Sequence, residues 1–355
     1  MLYFIKYTLF ILFSAISLSC STNISESSDL SDTALYFSID HSREIALISN
    51  PYTQKQDTIS LESPYSRLVC MSSTHIAALS AIDKTDAIAG VSGVKYISDS
   101  TILCKAGQGL IKDVGYDYSF EYETVLALKP DLVLAYSVGN AVPQYVEKLR
   151  SLGIRVVLLF DHLENHPLAR AEYVRLSGAL THQQDKADSV YSNVRSRYLE
   201  LKSLVKDKPQ KKVLLNAPYS DAWYIPGREN YMSRLVSDAA GIVLGSQEGS
   251  QSSVINMEKA FVLSQEADFW LHPGSYGTLK QLRQSNPMFK DFGPLLKSGK
   301  LSLIYNNNRR QTAGGGNDFW ESGSMRPDLI LEDLISILHP EVSPRDSLHY
   351  YVALE

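Results

Sequence analysis

Residues 123–137, ETVLALKPDLVLAYS, constrain the fold of this chain more than any other stretch. A helical run (Thr124, Val125, Leu126, Leu128) is stopped at Pro130, whose ring cannot continue a helix. An apolar run, Leu132 to Ala135, follows at once and ends in the polar pair Tyr136-Ser137. A helix feeding a short continuous apolar run predicts a buried parallel strand. In open α/β sheets, ligands bind beyond the carboxyl ends of such strands. A degenerate echo lies at 258–275, EKAFVLSQEADFWLHPGS, with a helical stretch, an apolar Phe269-Trp270-Leu271 and then Pro273-Gly274-Ser275. Two copies of one unit predict two lobes, each offering a strand-end loop to a shared cleft.

The length, 355 residues, leaves room for two ordinary domains and a sizeable core. With 44% hydrophobic and 21% charged residues the composition is that of a globular protein. The net charge is −5 and no dense Lys/Arg run occurs, which excludes a nucleic-acid backbone as a natural partner. Tyrosine is abundant, 21 residues against 11 phenylalanines. Its broad ring and polar tip suit a binding surface, and equally a packing role.

The amino terminus reads as an address. Lys6 precedes an almost wholly apolar stretch, Leu9 to Leu18, interrupted by Ser14 and Ser17 and shorter than the roughly 20 residues of a membrane span. Ser17-Leu18-Ser19-Cys20 and a polar tract to Asp32 follow. This arrangement resembles a bacterial lipoprotein signal, which implies lipidation of Cys20, a membrane anchor and a location in the cell envelope facing the periplasm. An ordinary signal or an uncleaved anchor is the alternative. Cys70 lies in an apolar run, and both a buried free thiol and a Cys70–Cys104 bridge stay open.

Beyond residues 1–32, short alternating segments around Asn50-Pro51 predict a small β appendage over 33–65. Strands alternating with helices from Arg67 to Phe160 predict a first α/β lobe over 66–166 with a mostly parallel sheet. From Leu168 to Val205 there is no proline and one glycine, Gly178, and apolar residues recur at helical spacing. This predicts one long interlobe helix over 167–208, fraying around Thr181 to Gln184, or else two helices with a turn near Gly178. The pattern restarts at Val213 for a second lobe over 209–355, which includes a strand at Leu301 to Tyr305 and a closing helix from Pro327 to Leu338.

In order along the chain stand RLVCMSSTHIAAL, DVGYDYSFEYETVLALKPDLVLAYS, LRSLGIRVVLL, NAPYSDAWYIPG, LHPGS, YNNN and GGGNDFWESGSMRPDLIL. The ordered set, from about Arg67 to Pro340, resembles the substrate-binding lipoproteins of ABC importers for iron-siderophore, haem and cobalamin. The resemblance implies two three-layer α/β lobes with mostly parallel sheets, joined by one long helix with little hinge motion. It also implies a cleft between the lobes, no intrinsic cofactor, a bound metal chelate, a monomer, and delivery to a permease driven by a separate ATPase. Acidic residues on each lobe would dock the permease, with Glu147 and Glu229 as candidates.

The candidate cleft residues are Ser73, Thr74, His75, Tyr96, Tyr116, Tyr118 and Tyr136 from the first lobe, and Tyr219, Trp223, Tyr224, Tyr276, Asn308, Arg309 and Trp320 from the second. Aromatic faces bury macrocycle or catecholate surface, and an arginine fork pairs with carboxylate or phosphate. Burial of Trp223 and Trp320 inside the second lobe is the competing reading, and whether Arg309 or Arg310 points inward is open. His75, His162 and His272 at strand ends offer a second reading, direct binding of zinc or manganese. Gly314-Gly315-Gly316-Asn317 lacks the lysine and the following helix of a phosphate loop and reads as a tight turn or a close backbone approach. No nucleophile elbow occurs, so an enzyme reading rests only on a chelatase-like plan with a His and a Glu facing each other across the cleft.

Overall fold

The structure is a computed structural model that describes residues 33–220, 222–297, 303–344 and 347–355. The signal, Cys20 and the linker lie outside the described residues, as does the start of the strand expected at Leu301.

The chain begins with a three-stranded antiparallel sheet, β1 (Phe37–Asp40), β2 (Ile45–Ser49) and β3 (Gln56–Ser60). It is a lid on the first lobe rather than a free module, because Ala46, Ile48, Ile59 and Leu61 are buried in that lobe's core. Carboxylates fix its leading segment: Glu164 accepts the Leu35 and Tyr36 N–H groups at 2.9 and 3.1 Å, and Glu172 accepts that of Ala34 at 2.8 Å.

The first lobe carries β4 (Leu68–Cys70), α1 (Ser73–Ser80), β5 (Ile88–Val91), α2 (Ser100–Gly107), β6 (Lys112–Asp113), the hairpin β7 (Gly115–Tyr116) and β8 (Ser119–Phe120), α3 (Tyr122–Leu128), β9 (Leu132–Tyr136), α4 (Gln144–Ser151) and β10 (Val156–Leu159). Its five-stranded sheet has the order β10-β9-β4-β5-β6, every pair parallel. The helix before β9 ends as its residues dictate: Lys129 takes the left-handed conformation, φ 48°, and Pro130 forbids another turn. Cys70 is buried in β4 and Cys104 is exposed on α2, both as free thiols, so the bridge left open by the sequence does not form.

The connection between lobes departs from a single helix over 167–208. Two short pieces, α5 (Pro167–Ala171) and α6 (Tyr173–Leu180), are followed by a turn at 181–183 in which His182 has φ 52°, and then by α7 (Gln184–Leu204). Gly178 lets α7 approach closely, since a Cβ there would overlap that of Ala187. The rod is α7 alone. Its Ala187, Tyr191 and Val194 belong to the first core and its Tyr198 and Leu201 to the second. At 1.5 Å per residue its 21 residues span about 30 Å.

The second lobe contains β11 (Lys211–Leu215), β12 (Trp223–Ile225), α8 (Tyr231–Asp238), β13 (Gly241–Val243), β14 (Ser253–Ile255), α9 (Met257–Glu266), β15 (Phe269–Leu271), α10 (Leu279–Ser285), α11 (Gly293–Lys297), β16 (Ile304–Asn306), α12 (Ser322–Met325), α13 (Pro327–Leu338) and β17 (Val352–Ala353). The sheet order is β13-β11-β15-β16-β17, parallel except for the last pair. Helix α9 and strand β15 are the echo of α3 and β9. A separate two-stranded antiparallel ribbon, β12 with β14, stands apart from the main sheet.

Candidate functional site

Strand ends of the first lobe build an open aromatic wall. After β5, Gly93 turns with φ 63°, and Asp113 at the end of β6 accepts the N–H groups of Gly93, Val94 and Gly115 at 3.0, 2.9 and 2.9 Å. That one carboxylate fixes the two loops that carry Tyr96 and Tyr116. Their rings meet edge to face at 5.8 Å, and Tyr118 stacks on Tyr116 at 5.6 Å. Lys95, which the sequence reading missed, lies 4.7 Å above the Tyr96 ring and 6.0 Å from that of Tyr116. Its position next to Tyr96, in the loop after a strand, was the signal available. Tyr116, Tyr118 and Tyr136 line a cavity of about 560 Å³ together with Ser92, Ser137 and Tyr145. Tyr118 is 87% exposed, a large cost in apolar hydration for a ring with no structural partner beyond its neighbour.

The floor of this wall is buried and polar. Ser72 caps α1, accepting the Thr74 N–H at 3.3 Å, and Ser73 and Thr74 stand half-buried in its first turn. His75, one residue further, points into the lobe. It is 3% exposed, with Nε2 3.6 Å from Asp161 Oδ1 at the end of β10. It is therefore a support beneath the cleft and not the cleft-facing contact expected. Burial opposes the charge of Asp161, but the His75 ring, the Thr74 hydroxyl and the Arg170 guanidinium outweigh it and hold the carboxyl well below the usual range. His162 meets Tyr136 edge to face at 6.0 Å, and burial first of all lowers its pKa, which favours the neutral ring.

The second lobe ends its strands differently. His272, after β15, bonds the Tyr351 hydroxyl at 2.8 Å, and burial pushes its pKa down to about 3. Phe319 and Tyr351 pack on its ring. It shares no site with His75 or His162, and among the described residues no group of three His, Cys, Asp or Glu side chains is placed to hold a metal ion. The three-histidine metal reading is corrected accordingly.

The exposed groups of this lobe come from its excursions instead. Tyr219 is 77% exposed and pairs with Ala222, its N–H donating to the Ala222 carbonyl at 2.8 Å. In β12, Tyr224 faces out while Trp223 and Ile225 face in. Trp223 is 1% exposed, donates Nε1–H to the Leu215 carbonyl at 2.8 Å, and stacks on Phe292 at 6.0 Å. It is a core residue, because side chains of a strand alternate between faces and Tyr224 has taken the outward one. Tyr276 and Asn308 are half-buried. Arg309 is exposed and reaches Ser347 Oγ at 2.9 Å, while Arg310, also exposed, pairs with Asp318 at 2.6 Å and lines a cavity away from the aromatic wall. Trp320 is 43% exposed and packs edge to face on Phe319.

The glycine run 314–316 approaches backbone and not a phosphate: it lies against Lys95 and Tyr96 of the first lobe. Glu321, which the sequence reading passed over, bonds the first lobe's Ser98 and Asp99 N–H groups. His75 faces Asp161 of its own lobe and not a glutamate across the cleft. Glu147 and Glu229 are both exposed, as docking would require.

A family model described as "Periplasmic binding protein" matches residues 68–304, well over half of the chain. An uncharacterized lipoprotein of Methanocaldococcus jannaschii is 26% identical over 301 residues, covering 81% of this chain and 69% of that protein. A vitamin B12-binding protein of Salmonella typhi is 35% identical over 105 residues, 30% of this chain and 38% of its own length. Among solved structures, a periplasmic heme binding protein from Pseudomonas aeruginosa superimposes with a TM-score of 0.60 at 18% identity, over 82% of this chain and 98% of that one. At that identity the likeness is one of fold.

Proposed function

The chain belongs to the periplasmic binding protein family, and from that premise we propose that it is the membrane-tethered solute-binding component of an ABC importer. It captures a metal chelate (ferric siderophore, haem or cobalamin) in the interlobe cleft and hands it to a permease. The observation that carries this reading is the run of rings on one wall, with Tyr96, Tyr118 and Tyr136 exposed and Tyr116 half-buried between them. Flat, hydrogen-bonding surface of this kind matches a large ligand with an apolar face and polar edges. The vitamin B12-binding and heme binding proteins that the chain resembles, and the lipoprotein among its relatives, support the ligand class and the tether. Among the described residues no group of three His, Cys, Asp or Glu side chains is placed to hold a metal ion, which favours a carrier that encloses an intact chelate over one that takes up a bare ion.

Titration of the purified protein with haemin, cyanocobalamin, a ferric hydroxamate and a ferric catecholate, followed by visible absorption and native mass spectrometry, tests the reading. One class should bind with one-to-one stoichiometry and lose affinity in Tyr118→Ala. Absence of binding to all four would overturn it.

A further inference from the structure

The lobes also touch away from the aromatic wall. Residues 311–317 form a tight hairpin, in which Gly315 N–H donates to the Thr312 carbonyl at 2.9 Å and Gly316 N–H to Thr312 Oγ1 at 3.0 Å. Its backbone is pressed on residues 95–97 of the first lobe. A methyl group at Gly314 would overlap the Lys95 carbonyl, one at Gly316 would overlap the Tyr96 carbonyl, and the Tyr96 ring lies 3.7 Å from where a Gly315 Cβ would stand. Beyond the hairpin, Glu321, only 2% exposed, accepts the Ser98 N–H on one carboxylate oxygen at 2.7 Å and the Asp99 N–H on the other at 2.8 Å. Asp99 is itself the cap of α2, accepting the Thr101 and Ile102 N–H groups at 2.8 and 3.0 Å and the Ser80 hydroxyl at 2.5 Å.

This contact is not embedded in a core. Ser98, Asp99 and Glu321 line a polar cavity of about 720 Å³ that reaches α7 and the start of α13. Beside it, Met325 of α12 is buried in the first lobe's core, which supplies a packed pivot. A hydrogen-bonded contact flanked by solvent opens more readily than the packed one next to it. Both of its ends sit beside cleft aromatics: Tyr96 two residues before Ser98, and Trp320 immediately before Glu321.

We propose that Glu321 and the Gly314–Gly316 backbone form an interlobe clasp that positions Tyr96 and Trp320, sets the width of the ligand cleft, and slows release of the guest without touching it. The proposal rests on the binding reading above. Glu321 is thus a positioning residue. The groups around it are Asp99 from α2, Asp318 with its partner Arg310 from the same loop, the Arg326–Asp328 pair at the start of α13, and Arg197 from α7. Burial, reinforced by Asp318 and Asp99 and opposed by the two N–H groups it accepts, pushes the Glu321 carboxyl from 4.5 up to about 7. A carboxyl whose value is raised on closing favours the closed clasp in acid and loses that contribution as pH rises through the raised value.

Amide exchange, Trp320 quenching by acrylamide and haemin release test the clasp together. In Glu321→Ala, protection of the Ser98 and Asp99 amides should fall about tenfold while amides of β9 and β11 keep theirs. Quenching of Trp320, the exposed member of the three tryptophans, should rise, and haemin should dissociate roughly tenfold faster. Gly316→Ala, which changes no ligand-facing side chain, should reproduce these effects by prying the backbones apart. Wild-type protection at the two amides, corrected for intrinsic rate, should decline between about pH 5 and about pH 8, and Glu321→Gln should flatten that profile. If Glu321→Ala fails to fold, Glu321→Gln and Gly316→Ala decide the matter. Unchanged protection in these variants, or lost protection with unaltered Trp320 quenching, overturns the clasp. Should haemin not bind the wild type, the ligand reading fails on that arm, and exchange and quenching still decide the clasp.

Discussion

In the first lobe β9 runs out into Tyr136, 37% exposed, whereas in the second β15 runs out into His272, 9% exposed and bonded to Tyr351. The preceding helix and strand are the same unit in both places. One copy opens onto solvent, its Tyr136 touched edge to face by His162 and left more than a third exposed. The other is sealed by Phe319 and Tyr351, and that lobe offers its exposed aromatics from a side ribbon and from loops. A repeated backbone unit therefore fixes where a cleft can form, and the segments that follow decide whether each copy serves it or is closed off to serve stability.

The contrast can be broken most forcefully at Trp223. Replacement by alanine should cost about 3–5 kcal/mol, as for a large buried aromatic, read as an earlier denaturant midpoint of the second lobe. A stable Trp223→Ala protein with lost ligand affinity would place that residue back in the cleft. Tyr118→Ala should do the opposite: stability within about 0.5 kcal/mol of wild type and about tenfold weaker chelate binding, measured by absorption titration.

A third test concerns the appendage. Burial, opposed by the Tyr36 and Leu35 N–H groups, pushes the Glu164 carboxyl from 4.5 up to about 7. A raised folded-state value means that its contribution is complete below 4.5 and is lost as pH climbs through about 7. Melting temperature should therefore fall on that account between about pH 5 and about pH 8, and Glu164→Gln should remove this part of the slope. The smallest effect is expected at Lys95. Its contact with Tyr96 is exposed, so Lys95→Met should leave binding of a neutral chelate nearly unchanged in absorption titration, with a clear loss only for an anionic one.

Much of the scaffold was legible because it is written locally. Pro130 after an apolar run, Ser72 ahead of α1 and the helical spacing of Ala187, Val194 and Tyr198 each act within a few residues. The site was less legible for two reasons. Neighbours in sequence were both assigned to the cleft at Trp223-Tyr224 and at Thr74-His75, although a strand or a helix turn cannot aim adjacent side chains the same way. The alternation through Ile225 was available to correct the first of these. The contact of Glu321 with Ser98, by contrast, joins residues 223 positions apart, and no local pattern announces it.

The carboxylates of Glu164 and Glu172 bind the backbone of Ala34, Leu35 and Tyr36, and Glu164 stands two residues after His162. In the membrane-tethered protein proposed above, a pull on the polypeptide ahead of Thr33 would reach these oxygens. From there the load passes to the turn carrying Asp161 and His162 at the foot of the aromatic wall, in series with the binding face.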